Sequence, residues 1–281
     1  MTCPQRLAER PADPTDPAVA AGAHAGGPVG RRERPLWHPL VVLPELVWML
    51  VLVFGYSLAR LFVVDPATGY RNAFRLWTLE RDLHLPSEAA LQHLVLQWPV
   101  LLRALNDYYA SAHFPMTAVF LFWVYVWRHR SWRWVRNAIT AFTAVALGIE
   151  ALVPMAPPRL VPTFGMEDVA ARLGESVYPA STSSGVANQF AAMPSVHFGW
   201  ALLVGVGVVL LTRTRWRWLA LAHPAITLVV ITLTANHYWL DSVVAGALVA
   251  AALGGAGVLR RRELARRAER VAAWATPVRS R

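Results

Sequence analysis

Lysine is missing altogether: every one of the 27 basic residues in this 281-residue chain is arginine, a bias of the kind a GC-rich bacterial genome produces. Cysteine occurs once, at Cys3, which excludes an intrachain disulfide and a cysteine cluster for a metal. Residues 1–36 lack hydrophobic periodicity and are rich in Pro, Ala, Gly and Asp; they are expected to form a disordered cytoplasmic tail. The tail also lacks the apolar core of a cleaved signal peptide, so the first span is expected to act as an uncleaved insertion signal. There is no internal repeat and no pair of broken helices of the transporter kind, which counts against a transporter.

What is abundant is apolar residues, 56% of the chain, gathered into blocks of membrane-spanning length. Five spans are read directly and a sixth follows from the count: 39–60, 113–127, 135–154, 195–212, 216–235 and 238–259. The block 113–127 is short, and Tyr108-Tyr109 before it extend it toward the interface. Residues 65–107 mix charged and apolar residues at three- and four-residue spacing, as in "FRLWTLERDL", and are expected to form helices lying near the membrane surface. The proline-containing stretch 155–193, with "STSSG", reads as a loop. The expected fold is therefore all-α and integral to the membrane: six transmembrane helices plus surface-lying helices before the second span. A membrane-embedded domain over 37–259 is expected between the 1–36 tail and a basic cytoplasmic tail over 260–281.

The net charge of +10 would suit a nucleic-acid partner, but its placement argues for orientation. Five arginines lie in the N-terminal tail, four in 128–136, three in 213–217 and eight beyond residue 259. With six spans and both termini cytoplasmic, all of these fall on one side, as the positive-inside rule requires. Residues 61–112, 155–194 and 236–237 then face outward. The "WRWVR" and "RWRW" stretches read as interfacial belts, and the C-terminal "RRRELARRAER" as a solvated or lipid-touching basic helix.

The polar residues that stand out lie on those outward connections. In "NHYWLD", His237 and Asp241 are four apart and share a helix face, so the carboxylate can fix one imidazole nitrogen and leave the other to attack or to take a proton. A carboxylate one turn into the membrane costs roughly 2.5 kcal/mol or more unless paired; a structural pair locking two helices is the competing reading. In "AAMPSVHFGWA", Pro194 suits the first turn of a helix, and the free N–H groups of that turn suit a phosphate. Ser195 adds a hydroxyl and His197 reaches the same region, although a capping Ser and an interfacial His would look the same. In "APPRL", Arg159 offers a guanidinium matched to phosphate oxygens. Glu150 is a further ionisable group near the end of a span, suited to an interaction with Arg159 or to helix packing.

The order Arg–Ser-x-His–His-x-x-x-Asp along the outward connections resembles the type 2 phosphatidic acid phosphatase superfamily of integral membrane enzymes. "PMAPPRL", "AAMPSVHFGWA", "NHYWLDSVVAG" and the upstream "ERDLHLPSE", ending in Asn106, Tyr108, Tyr109 and His113, resemble the branch that contains the inositol phosphorylceramide synthases. The likeness covers roughly 70–255. It implies that His237 is the nucleophile of a phosphohistidine intermediate, that Asp241 orients it, and that His197 protonates the leaving oxygen. It further implies that Arg159 and Ser195 bind phosphate and that neither a metal nor a cofactor is needed. The chain departs from the best-known members at Leu152, where they carry a lysine, at Val230-Ile231, where they carry Ser-Arg, and at Val196, where they carry glycine. These departures favour the inositol-transferase branch, and Asn236, His113 and Asn106 are candidate substitute donors to substrate.

The function expected from this resemblance is a lipid phosphate phosphatase or phosphotransferase at the outer face of a bacterial plasma membrane. Its partners would be a lipid phosphate or diphosphate, membrane lipids, and an acceptor that is water or a polyol such as inositol, with no nucleic acid. A polyprenyl diphosphate phosphatase is the alternative within the class. Outside it stand a two-His-one-carboxylate metalloenzyme built on His197, His237 and Asp241, and a non-catalytic lipid-binding or transport protein.

Overall fold

A computed structural model describes residues 65–174 and 189–275, together with scattered helical positions between 43 and 55. The 1–36 tail, most of the 39–60 segment and "STSSG" fall outside the described residues. The chain divides into two compact units, 1–47 and 48–281. In the first, the described helical residues are Leu43, Pro44, Glu45 and Val47.

In the second unit the helices start where local chemistry favours it. Asp65 accepts from the Ala67 and Thr68 N–H groups and Pro66 occupies the first position of α1 (Pro66–Asp82), where its missing N–H costs no bond. Ser87 caps α2 (Glu88–Val95) through the Ala90 N–H. Helices α3 (Pro99–Ser111) and α4 (His113–Trp127) follow, bent by 46° at their junction. Then come α5 (His129–Leu152), the short α6 (Val169–Arg172) and α7 (Val196–Leu211). A 3₁₀ segment, Arg215–Leu221, runs into α8 (Ala222–Leu233), and α9 (Trp239–Ala275) closes the fold. Among the described residues there is no strand, only an isolated bridge between Met155 and Ala191.

Among the described residues, three helical stretches are long and apolar enough to cross a membrane: His129–Leu152, Arg215–Leu233 and Trp239–Ala272. The bent pair α3–α4 makes a fourth if it counts as one span. Helix α7 is apolar apart from His197 but has 16 residues, fewer than the ~20 of a typical span. The block expected at 113–127 thus continues backward past Tyr108-Tyr109 into α3, and the basic stretch beyond residue 259 is an uninterrupted extension of α9 rather than a separate element.

Helix α7 is central, packing against α4, α5, α8 and α9. Bare backbone makes that possible: a Cβ at Gly199 would run into the Phe142 ring of α5, and one at Gly207 into Phe120 of α4, the small-residue device that lets helices approach closely in lipid. The Trp200 indole donates to Thr143 Oγ1 at 3.0 Å across the same α5 interface. A second apolar cluster joins Ala73 and Leu76 of α1 to Met155, Phe164, Phe190 and Tyr238. It gathers the loops that precede α7 and α9. The Gln92 amide of α2 donates to the Glu167 and Leu233 carbonyls and accepts from the Glu167 N–H, tying the 155–174 loop to the end of α8.

Candidate functional site

The site is assembled where α7 and α9 begin. Helix α8 ends in a turn whose Ala235 has φ +54°, a left-handed conformation at the position where glycine is usual, at a cost of about 1 kcal/mol for a side chain with Cβ. The turn closes through Asn236 and His237 N–H groups, both donating to the Ile231 carbonyl at 3.0 and 3.2 Å. His237 is thereby set between two helices, buried to 4% exposure. Its Nδ1 lies 2.7 Å from the Ala192 carbonyl and 3.3 Å from Asp241 Oδ2. A carbonyl only accepts, so Nδ1 carries the proton and Nε2 keeps its lone pair.

Asp241 therefore shares the orienting task with a backbone group that carries no side-chain signature. Its Oδ2 also accepts from the Tyr238 N–H at 2.9 Å, the reach-back of a capping box at the start of α9. The Asp241 backbone carbonyl accepts from the Ser195 N–H at 3.4 Å, which links the starts of α7 and α9 directly. Ser195 is the cap of α7: it is fully buried and its Oγ accepts from the Phe198 N–H at 3.3 Å. Pro194, expected in the first helical turn, precedes that cap instead.

His197 sits one turn away. Its ring centroid is 6.0 Å from that of His237, 4.6 Å from His113 and 4.5 Å from Tyr109, on which it stacks. His113 stacks in turn on Trp200 at 5.0 Å. The Tyr108-Tyr109 pair divides its work, as neighbours on a helix point in different directions. Tyr109 meets His197, while the Tyr108 hydroxyl shares a hydrogen bond with His223 Nδ1 at 2.7 Å. Asn106 is buried on the same helix, three residues before Tyr109.

Arg159 joins from the loop after α5. Its backbone N–H donates to the Ala235 carbonyl at 3.0 Å. Its Nη1 donates to Asn236 Oδ1 at 2.6 Å and its Nε pairs with Asp168 Oδ2 at 3.2 Å. Asn236 turns its amide nitrogen to Thr234 Oγ1 at 2.7 Å, so it reaches the site as an acceptor that orients the guanidinium. The loops carrying Arg159 and Ser195 are themselves stitched together: Met155 N–H donates to Phe190 O at 2.8 Å and Ala192 N–H to Met155 O at 3.2 Å. The Tyr238 hydroxyl adds a bond to Ala156 O at 2.9 Å.

One imidazole whose Nδ1 is taken up by a carbonyl, a second imidazole beside it, a held guanidinium and the capped start of a helix can together bind an anion and exchange a proton. Among the described residues no group of three or more His, Cys, Asp or Glu side chains is arranged to hold a metal ion. Reasoning from sequence missed three participants. The Ala192 carbonyl and the Glu80 carboxyl that meets α9 have no spacing signal. Asp168 was hidden as one acid among several in a loop.

The sequence model of the PAP2 superfamily matches residues 75–255. Among curated proteins and among solved structures, nothing matches the chain.

Proposed function

Because the chain belongs to the PAP2 superfamily, whose members are membrane phosphatases and phosphotransferases of lipid phosphates, we propose that it is a metal-independent enzyme of that kind, working through a phosphohistidine on His237. The observation that carries this reading is the Nδ1 contact of His237 with the Ala192 carbonyl at 2.7 Å, which leaves Nε2 as a fixed nucleophile.

His237 Nε2 attacks phosphorus, the bond to the leaving oxygen breaks, and His197 delivers a proton to that oxygen. Arg159 and Ser195, with the N–H groups opening α7, stabilise charge on the non-reacting oxygens, where phosphoryl transfer needs it. In the second half, water or an alcohol attacks phosphorus, His197 takes its proton back, and the P–N bond breaks. Asp241 stabilises the charged imidazole formed on the way. Asn236 and Asp168 act on the phosphate through Arg159. His113 supports His197 from beside it, at 4.6 Å between ring centroids.

The donor is a lipid phosphate or diphosphate, with polyprenyl diphosphates as the alternative to glycerolipids. The resemblance to the inositol phosphorylceramide branch makes a polyol such as inositol the acceptor to try beside water. The same reading has six spans: α5, Arg215–Leu233, α9, the α3–α4 pair, α7 and the 39–60 segment. Both termini are cytoplasmic and the site faces outward.

The test uses purified protein in detergent with excess EDTA and a panel of lipid phosphates and diphosphates, with and without inositol. Turnover should survive EDTA in wild type and disappear in His237→Ala, and product partitioning names the acceptor. Equal turnover in the mutant, or none on any substrate by wild type, sinks the nucleophile assignment and favours a lipid-binding protein.

A further inference from the structure

Helix α9 has only Asp241 from its own first turn to meet its leading N–H groups. The residue before it is Tyr238, whose hydroxyl is committed to Ala156 O, and its first turn has N–H groups that need acceptors. Asp241 meets the Tyr238 N–H. The Leu240 N–H is met by a residue from another helix, Glu80 of α1, whose Oε1 lies 2.8 Å away. The Trp239 indole donates to the Pro86 carbonyl at 2.9 Å, fastening the same turn to the α1–α2 connection.

Glu80 is fully buried and Glu88 is 1% exposed, far beyond what an acidic residue accepts without compensation. One guanidinium stands beside them, and it pairs with Glu88: Arg81 Nη2 lies 2.7 Å from Glu88 Oε2. Glu80 Oε2 and Glu88 Oε1 are left sealed with no hydrogen-bond partner. A proton held between the two acids supplies the missing donor, cancels the surplus charge against Arg81, and leaves Glu80 Oε1 free to accept from Leu240.

We propose that Glu80 is a positioning residue: backed by Glu88, its neutral carboxyl caps α9 from outside and holds His237 and Asp241 at the distances the reaction uses. This rests on the reading of His237 as nucleophile. Glu80 faces Glu88 and Arg81 from the α1–α2 side and Asp241 and Tyr238 from α9. Burial first, then the Glu88 carboxyl beside it, push the Glu80 carboxyl up to about 9. Below that pH it adds no charge behind Asp241; above it, a second anion forms there and opposes phosphate.

The sign of the pH effect follows. The unfolded carboxyl ionises near its ordinary value of 4.5 and the folded one at about 9. Folding thus takes up a proton between those values, and stability falls as pH rises through that window.

Glu80→Gln keeps a neutral acceptor for Leu240, whereas Glu80→Ala removes it. In Glu80→Ala, hydrogen exchange over 237–245 should rise and kcat should fall by at least about tenfold with little change in KM. Glu80→Gln should keep wild-type exchange and kcat, lose the alkaline fall of kcat near pH 9, and lose the downward slope of thermal midpoint between pH 5 and 9. Unchanged exchange in Glu80→Ala, or a wild-type alkaline limb and stability slope in Glu80→Gln, overturns the proposal. Exchange and thermal midpoint are read without turnover, so they decide this point even if His237→Ala shows the phosphohistidine reading to be wrong. If Glu80→Ala does not fold, the Glu80→Gln profiles alone decide it.

Discussion

Arg159 is prepared for an anion by its neighbours rather than by its own loop. Asn236 takes Nη1 at 2.6 Å and Asp168 takes Nε at 3.2 Å, so little rotamer freedom is left for the proposed binding of phosphate to remove. Asn236 is adjacent to His237, which couples the guanidinium to the proposed nucleophile through one peptide unit. Asn236→Ala is expected to raise KM by about tenfold, the worth of one charge-assisted hydrogen bond, with a smaller change in kcat. Steady-state kinetics on a lipid phosphate check this; a fall in kcat at constant KM would place Asn236 in the chemical step instead. His237 illustrates the same economy. A backbone carbonyl, which no substitution deletes, fixes its tautomer, and Asp241 divides its Oδ2 between that ring and the cap of α9.

At the scale of elements, the two chemical helices are registered by their starts and by the α5–α7 interface. The Ser195 N–H to Asp241 carbonyl bond ties the starts together, while Gly199, one turn into α7, allows the Phe142 ring of α5 to lie against the helix backbone. A methyl group there has to displace a ring that is 1% exposed. Gly199→Ala is expected to destabilise the protein by about 1–3 kcal/mol, seen as a lower thermal midpoint in detergent. Pairing it with Phe142→Leu should recover part of the loss, as residues in contact couple. An additive double mutant would mean that the ring is not what the methyl group meets.

For the whole molecule, α9 runs from the site through its apolar length into exposed arginines such as Arg260 and Arg267. At 1.5 Å per residue the Cα atoms of Arg260 and Arg267 lie about 32 and about 42 Å along the helix from its start at Trp239, at and beyond the ~30 Å thickness of a bilayer's hydrocarbon core. The proposed topology therefore puts the chemistry on one face and the basic residues on the other. In a Cys3→Ser background, a membrane-impermeant thiol reagent should label T163C in intact cells and R213C only after permeabilisation; both positions are exposed. Labelling of R213C in intact cells would overturn the orientation.

Much of this was legible in the residues themselves. The helical class follows from apolar blocks punctuated by proline and arginine, and Arg159, Ser195, His197, His237 and Asp241 stand out because polar groups are costly among apolar ones and these share the short connections between them. His237 and Asp241 do meet, at 3.3 Å, but not on a shared helix face as the spacing suggests: His237 precedes α9, which begins at Trp239, and the turn before the helix brings the ring to the carboxylate. Only the tertiary structure determined which atoms finish the site. Ala192 offers a carbonyl, Glu80 caps a helix that begins 159 positions later with Trp239, and Asn236 turns its oxygen to Arg159. Each is a contact between segments far apart in the chain or between backbone atoms. Sequence pattern reports the period of a single element and carries no record of where another element's oxygen will lie.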